Sequence, residues 1–584
     1  MNIFNSKLIG FLLLEILLIP VLFKLLIINF FFINHEESLF YRIFQTLAHD
    51  SIIYFLIILF IYISYLKFIK YYIAIVLRLF ALVIFLLYII DLFVLNSFAT
   101  HLILGDIIKY ITYAPKYIQQ LYSLNILIIL ASLITIVLIL IFIFKNYQIQ
   151  NKRSHYTYLT SIVLCFTLFL FADNGRYIHS WLYKNFIEYN YDIIEQSNKY
   201  SNDFKKNLSV NHNQQCIKSE KNNKNIIVLM VESLASYQSE YFSNIKNWTP
   251  QLDKIAKENI SFKNFYANGF VTEDAEISIL TGKFPIYASS SFSNGGGVSF
   301  SGFYNIKDSL ADILNKEDYQ TEFITSSDLE FSNTGLWAKS IGFKHIEGSE
   351  QKLYSDKKRF HFNAAGDEFL YQRVLKRVSK QEGKYFLFIK TVSSHAPFIN
   401  PENENRSEEE TIRYVDKQIG NFYNKLNEMN FFKDGLLIIV GDHHPVIPIR
   451  KEQVIKHGIY KAPAFVPMIL VDNKKQKEVN LQAFQQVDIY NSIKNYVLEQ
   501  SCTSIWNGDF ISSKTNPKYI IHRRGDQRGI ISVFNENKIF NIKLNGDNTK
   551  IIEDEQNEEV LNKINYMRIQ REKKEFNEIS ITQL

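Results

Sequence analysis

Four side chains in this sequence have the chemistry of a metal-assisted nucleophilic site: Glu232 in VESL, Thr272 in GFVTEDAEISILTG, and Asp442 and His443 in GDHHP. A fifth group, His395 in SSHAPF, adds a second imidazole. Taken singly, most have a plain structural reading. A glutamate after a strand commonly caps a helix or sits in a solvated turn. Thr272 could be an N-cap whose following acids, Glu273, Asp274 and Glu276, complement a helix dipole. His395 could be a core imidazole bonded to backbone. GDHHP resists that treatment, because two adjacent imidazoles after an apolar run serve no obvious structural purpose, although His444 can simply pack. Glu, Asp and His together form a mixed oxygen and nitrogen set, which suits one divalent ion, Mn²⁺ or Zn²⁺.

The groups gain weight from what precedes them. Glu232 follows NIIVLMV (225–231), Asp442 and His443 follow GLLIIV (435–440), His395 follows KYFLFIKTV (384–392), and Ser326, Ser327 and Asp328 follow YQTEFIT (319–325). With FVPMILV (465–471) these are near-continuous apolar runs, the pattern of a parallel sheet covered on both faces. Helices are expected between them, including 367–379 and 410–429. An α/β sandwich with mostly right-handed crossovers follows. In such a sheet ligands bind at the carboxyl ends of the strands, so side chains from several strand ends can converge.

The first third of the 584-residue chain reads as membrane. A helix needs about 20 apolar residues to span the hydrocarbon core, and 8–33, 51–68, 71–95, 124–145 and 157–172 qualify or nearly do. Glu15, Lys24 and Arg78 lie inside these segments and should face other helices or reach for an interface. Lys7, Lys67, Lys70, Lys145, Lys152 and Arg153 cluster on one side of the predicted spans, which puts the N-terminus in the cytoplasm and everything after about residue 173 outside. The expected organisation is a five-span transmembrane domain (1–173), a linker (174–222), an α/β domain with a mostly parallel sheet (223–535), and a C-terminal strand and charged helix (536–584, the helix near 556–575). In the linker, Trp181, Tyr183, Phe186 and Tyr189 could form a helix lying against headgroups. RGIISVFNENKIFNIKLNG suggests a small antiparallel meander. The net charge of +6 gives little reason to expect nucleic acid. Three cysteines exclude a disulfide framework: Cys165 lies in an apolar run, while Cys216 and Cys502 can form one bridge or stay as free thiols.

From about 223 to 535, and in the five spans before it, the chain resembles the lipoteichoic acid synthase branch of the alkaline phosphatase/sulfatase superfamily. The resemblance lies in VLMVESL, VTEDAEISILTG, VGDHHP, SSHAPF and SSDLEFSNTGLWAKSIGF. It implies that Glu232, Thr272, Asp442 and His443 hold the metal, with Thr272 the nucleophile that becomes phosphothreonine. It implies that His395 contacts substrate and that Trp337 lines the headgroup pocket. Lys339 departs from the family, which tends to place an arginine two residues after that tryptophan; lysine is a point charge where arginine grips phosphate through a fork. The implied activity is transfer of a phosphoglycerol or phosphoethanolamine headgroup from a phospholipid to a cell-envelope glycolipid or glycan outside the cytoplasmic membrane. A sulfatase is disfavoured, because VTEDAE lacks the C/S-x-P-x-R context of its nucleophile. A phosphodiesterase or phosphatase on the same fold and a non-catalytic membrane scaffold are the alternatives.

Overall fold

The computed structural model describes residues 19–28, 38–98, 101–104, 152–172, 182–194, 199–210, 213–219, 224–286, 300–380, 382–447, 449–525, 529–536, 538–552 and 555–582. The chain divides into two compact units, the first holding the described residues up to Ile194 and the second those from Lys199 onward.

In the first unit, Leu39–Ser64 and Tyr71–Phe98 are helices, and both are long and apolar enough to cross a membrane. Helix Lys152–Phe169 packs on the first of these, with Phe166 on Phe55 and Tyr158 on Tyr62. The expected span at 8–33 is described only as the helix Ile19–Ile28, and the one at 124–145 lies outside the described residues. The span expected at 51–68 is corrected: its helix begins at Leu39 and ends at Ser64. Asp50, read from sequence as a loop residue, is fully buried inside that helix. It can be buried because Lys24 Nζ donates to its Oδ1 at 2.6 Å and the Tyr88 hydroxyl to its Oδ2 at 2.6 Å. A buried charge is tolerated when it is paired and hydrogen-bonded. Lys24 and Arg78 do face other helices, Lys24 also donating to the Tyr183 and Lys184 carbonyls and Arg78 Nε to Ser64 Oγ. Glu15 lies outside the described residues. The aromatic helix forms as Phe186–Ile194, but Tyr183, Phe186 and Tyr189 are buried within this unit instead of lining an outer face. Glu188 pins it through His49 Nδ1 at 2.9 Å.

The second unit is built on an eight-stranded sheet of order β5-β4-β6-β2-β7-β8-β3-β9. Its strands are β2 (Asn225–Val231), β3 (Ile260–Tyr266), β4 (Gln320–Thr325), β5 (His345–Glu347), β6 (Tyr385–Lys390), β7 (Gly435–Gly441), β8 (Met468–Val471) and β9 (Glu478–Gln485). Alternation explains the continuous apolar runs. In β2, Ile226, Val228 and Met230 enter one core with the helices Thr272–Thr281 and Gln486–Val497. Ile227, Leu229 and Val231 enter the other, with Asp367–Val378 and Glu408–Glu428. The sheet is mostly parallel, and β8 is its antiparallel member, paired with β7 and β3. Because β8 reverses once on each side, β3 runs in the same direction as β7. The carboxyl ends of β2, β3, β4, β6, β7 and β9 therefore share one edge of the sheet.

A four-stranded antiparallel sheet, β11 (Ile520–Arg523), β12 (Ile530–Phe534), β13 (Ile539–Lys543) and β14 (Lys550–Ile552), is continuous across residue 535. It shares a core with Trp506, Tyr519 and the first turns of the helix Glu558–Thr582. Two short strands, β1 (Gln215–Lys218) and β10 (Gln500–Thr503), pair antiparallel and place Cys216 opposite Cys502, and these two cysteines are disulfide-bonded.

Candidate active site

The shared sheet edge collects the acids and imidazoles. Glu232 follows β2, Asp442 and His443 follow β7, and the loop after β3 leads into the helix Thr272–Thr281. Ligand atoms of Glu232, Asp442 and His443 all lie within 4.8 Å of one another, and all three residues are buried. His443 Nε2 is 3.6 Å from Glu232 Oε1 and 3.3 Å from Asp442 Oδ2.

Thr272 decides between its two readings. The N-cap of the helix is Val271, so Thr272 is its first helical residue and its hydroxyl makes no cap. Asp274, in the first turn, instead ties down the loop before the helix, its Oδ2 accepting from the Phe270 N–H at 3.1 Å. Gly269 makes room for this, since a β-carbon there would lie 2.2 Å from Asp274 Oδ2. Released from capping, Thr272 Oγ1 points at the acid cluster: it donates to Glu232 Oε2 at 3.0 Å and lies 3.3 Å from His443 Nε2.

The surrounding atoms fix these orientations. His443 Nδ1 is 2.7 Å from the His444 carbonyl, which can only accept, so Nδ1 carries the proton and the Nε2 lone pair turns inward. Asp442 Oδ1 accepts from the backbone N–H groups of Ser233 and His443, whereas Oδ2 is buried with no donor among the described residues. Ser233 adopts φ +52°, the left-handed region, to make that bond, and such strain persists only where surrounding structure enforces it. Gly441 permits the close approach of β7 to this turn, because a β-carbon there would meet the Leu234 carbonyl oxygen at 1.9 Å. Burial, and then the Glu232 charge, raise the Asp442 carboxyl well above the carboxylate range. Burial would depress His443, but Asp442 and Glu232 hold it above its usual value. Burial would raise Glu232, yet His395 and His443 hold it low.

An acceptor with no donor, an inward imidazole lone pair and a carboxylate offered by Glu232 form a donor set that fits a divalent cation. Glu232, Asp442 and His443 would hold it, with the Thr272 oxygen adjacent.

Of the other expected site residues, His395 interacts electrostatically with Glu232 but lies outside the three-ligand group. It is half-buried, with Nδ1 2.6 Å from the Ala396 carbonyl and its ring on the edge of Phe362. His444 packs: its Nδ1 bonds the Pro445 carbonyl, its Nε2 meets Gln453, and its ring rests on Tyr237. The pocket role of Trp337 is corrected. Trp337 has no exposed surface, stacks on Phe300 at 4.2 Å, and gives its N–H to the Phe303 carbonyl. An indole whose only donor is used in the core has nothing to offer a headgroup. Lys339 is exposed on the same helix. Ser326 and Ser327 are likewise buried in local bonds, Ser326 Oγ to the Ala365 carbonyl and Ser327 Oγ to Thr325 Oγ1.

Sequence reasoning missed the residues that join the pieces. Gln486, the first residue after β9, gives its amide to the Gly441 and Asp442 carbonyls at 3.1 and 2.6 Å and accepts from the Asn268 N–H at 3.0 Å. Asn268 Nδ2 in turn binds Gln485 Oε1 and the Ile521 carbonyl. Thr391 Oγ1 accepts from the Glu232 N–H at 2.9 Å, and Ser394 Oγ donates to the Glu232 carbonyl. The adjacent glutamines Gln485 and Gln486 were the one available signal.

Residues 224–496 match the sulfatase family model. Over that segment the chain is similar to the sulfatase family. Phosphoglycerol transferase I of Salmonella typhi is 26% identical over 247 residues, which are 38% of this chain and 30% of that protein. The same enzyme of Escherichia coli O127:H6 is 25% identical over 250 residues, with the same coverage. The match therefore spans under a third of the length of these relatives. Lipoteichoic acid synthase LtaP from Listeria monocytogenes superposes with a TM-score of 0.48 at 20% identity, over 64% of this chain and 97% of that one. The chain is thus similar to sulfatases over 224–496 and, over part of its length, to phosphoglycerol transferase I.

Two outcomes follow from the ligand set. Asp442→Ala and His443→Ala should each strip the purified protein of its divalent ion, whereas His444→Ala should retain it; elemental analysis of the three variants checks this. The pH dependence has a definite sign. Asp442 and His443 both hold protons above their ordinary range, and a cation binds only the deprotonated carboxylate and the neutral imidazole. Ion affinity should therefore fall as pH is lowered, by up to about tenfold per pH unit for each proton displaced. Mn²⁺ titration calorimetry between pH 5.5 and 8.5 should show protons released on binding, and a flat profile would contradict the assignment.

Proposed function

We propose that this chain is a metal-dependent transferase of the cytoplasmic membrane. It would move a phosphoglycerol- or phosphoethanolamine-type headgroup from a phospholipid to a cell-envelope glycolipid or glycan acceptor, through a phosphothreonine at Thr272. The observation that carries this reading is the Thr272 hydroxyl, which leaves its helix uncapped and donates to Glu232 Oε2 at 3.0 Å. Threonine is a weak nucleophile until a base or metal activates it. Glu232 is placed to draw the proton from Oγ1, and the first helical turn puts the positive end of the helix dipole where phosphoryl charge arrives. A bound divalent ion would supply Lewis-acid stabilisation of that charge.

In the first half-reaction the Thr272 oxygen bonds phosphorus and the diacylglycerol oxygen leaves, taking up a proton. In the second an acceptor hydroxyl attacks the same phosphorus, and Thr272 leaves with its proton restored. His395 interacts electrostatically with Glu232, and its Nδ1–H is committed to the Ala396 carbonyl. That leaves Nε2 to give a proton to the leaving oxygen or take one from the acceptor. The relatives named as phosphoglycerol transferase I support the headgroup class. The site's donor chemistry is compatible with either Mn²⁺ or Zn²⁺.

An outer location is supported by the apolar helices of the first unit and by the Cys216–Cys502 bridge, which belongs to an oxidising compartment. With five spans and the N-terminus inside, an alkaline phosphatase fused after residue 584 should be active and a cytoplasm-dependent fluorescent reporter dark. The opposite result would refute the odd span number.

The mechanism is tested on Thr272. Incubation with phosphatidylglycerol and phosphatidylethanolamine vesicles should leave a phosphoryl adduct on the peptide containing 269–282. Thr272→Ala should lose adduct and turnover by at least about a thousandfold. Its melting temperature should be near wild type, since no cap is removed. Thr272→Ser should retain part of the activity. An active Thr272→Asn protein would exclude the nucleophile, because an amide cannot form the ester.

A further inference from the structure

One charged pair lies where the fold calls for apolar side chains. Along β6, Phe386 and Phe388 face the core that carries the Thr272 helix, and the next position on that face is Lys390. Opposite it on the helix, among buried Ala275, Ile277, Ile279 and Leu280, is Glu276. Lys390 Nζ is 3.0 Å from Glu276 Oε1, with the glutamate fully buried and the lysine nearly so. Among the described residues, no hydrogen-bond donor other than this ammonium serves either Glu276 oxygen.

The placement matters. Glu276 is one helical turn beyond Thr272, on the same helix face. Lys390 is in parallel register with Met230, two residues before Glu232. The ammonium interacts with Glu273 and Glu232 as well as with Glu276. The pair thus spans the gap between the strand ends that carry the ligands and the helix that carries the hydroxyl. Burial pushes the Glu276 carboxyl up to about 7 even with the lysine beside it, a measure of what this position costs. A well-packed apolar pair of similar volume would tether helix to sheet without the desolvation penalty of two ions. Tethering alone therefore does not account for the charges.

We propose that Lys390 is a positioning residue of the transfer reaction. Paired with Glu276, its ammonium sets the height of Thr272 over Glu232 and supplies a fixed positive charge beneath the point where phosphoryl charge accumulates. Fixed charges aimed at developing charge in a dry site act without reorganisation during the reaction. This inference rests on the phosphothreonine reading above.

The test separates charge from packing in the full-length protein, with phosphatidylglycerol and phosphatidylethanolamine vesicles as donors and Mn²⁺ present. Readouts are the rate of adduct formation on Thr272, bound Mn²⁺ and melting temperature. Lys390→Met should slow adduct formation at least about tenfold while leaving KM and bound Mn²⁺ within about twofold. Lys390→Arg should stay within about threefold of wild type. The double variant Lys390→Met/Glu276→Leu removes both charges and keeps the volume. It should recover the wild-type melting temperature and remain at least about tenfold slow. A double variant that reacts at the wild-type rate overturns the inference alone, and so does an unaltered Lys390→Met. If Lys390→Met fails to fold, the double variant still decides. Absence of any adduct in the wild type overturns the phosphothreonine reading and takes this inference with it.

Discussion

Gln486 has one amide and uses both of its ends to hold two loops together. Its nitrogen serves the Gly441 and Asp442 carbonyls, and its oxygen takes the Asn268 N–H. The first two belong to the turn that carries the metal-type ligands and the third to the loop that delivers Thr272. A buried amide is costly unless satisfied, so the gap between these loops can neither widen nor close without leaving a polar group unpaired. The spacing between Thr272 Oγ1, Glu232 and His443 depends on that constraint. Asn268 extends it by binding Gln485 and the Ile521 carbonyl, so that β9 and β11 also fix the loop.

Charge is the second organising feature. Glu232, Asp442, Glu276 and Asp367 are all buried around one sheet edge. Asp367 accepts from the Val392 and Ser393 N–H groups and keeps Oδ2 without a donor among the described residues, and burial raises its carboxyl to about 6. So many carboxylates gathered out of water need opposing positive charge. Lys390 provides one such charge by covalent necessity, and the donor set of Glu232, Asp442 and His443 invites a second from a cation.

Much of this was legible in the sequence because the central strands are buried on both faces. β2 and β7 read as unbroken apolar runs, and whatever follows such a run must emerge at the sheet edge. β3 and β9 were not legible for the same reason reversed. ISFKNFY is broken by half-buried Lys263 and Asn264, and β9 lies at the sheet edge with Val479 and Leu481 exposed. The direction of the Thr272 hydroxyl turned on a one-residue helix boundary, Val271 against Thr272, that no pattern of apolar spacing resolves. Trp337 misled because a tryptophan on a short helix after a strand looks the same whether it fills a core or a pocket. Gln486 was invisible as a strut because its partners are main-chain atoms of residues 45 and 218 positions away. Asp50 was misplaced in a loop because its counter-ion, Lys24, lies on another helix 26 residues earlier.

The bridge between Cys216 and Cys502 encloses 286 residues of chain separation, and β2 begins only a few residues after Cys216. β2 is the strand that ends in Glu232. Any tug arriving along the polypeptide from the N-terminal side of Cys216 therefore meets a covalent junction before it meets that strand. The load passes sideways into β10 and the helix Gln486–Val497 on which β10 rests. The framework that carries the ligand turn is in this sense strain-relieved, like a cable clamped at its housing.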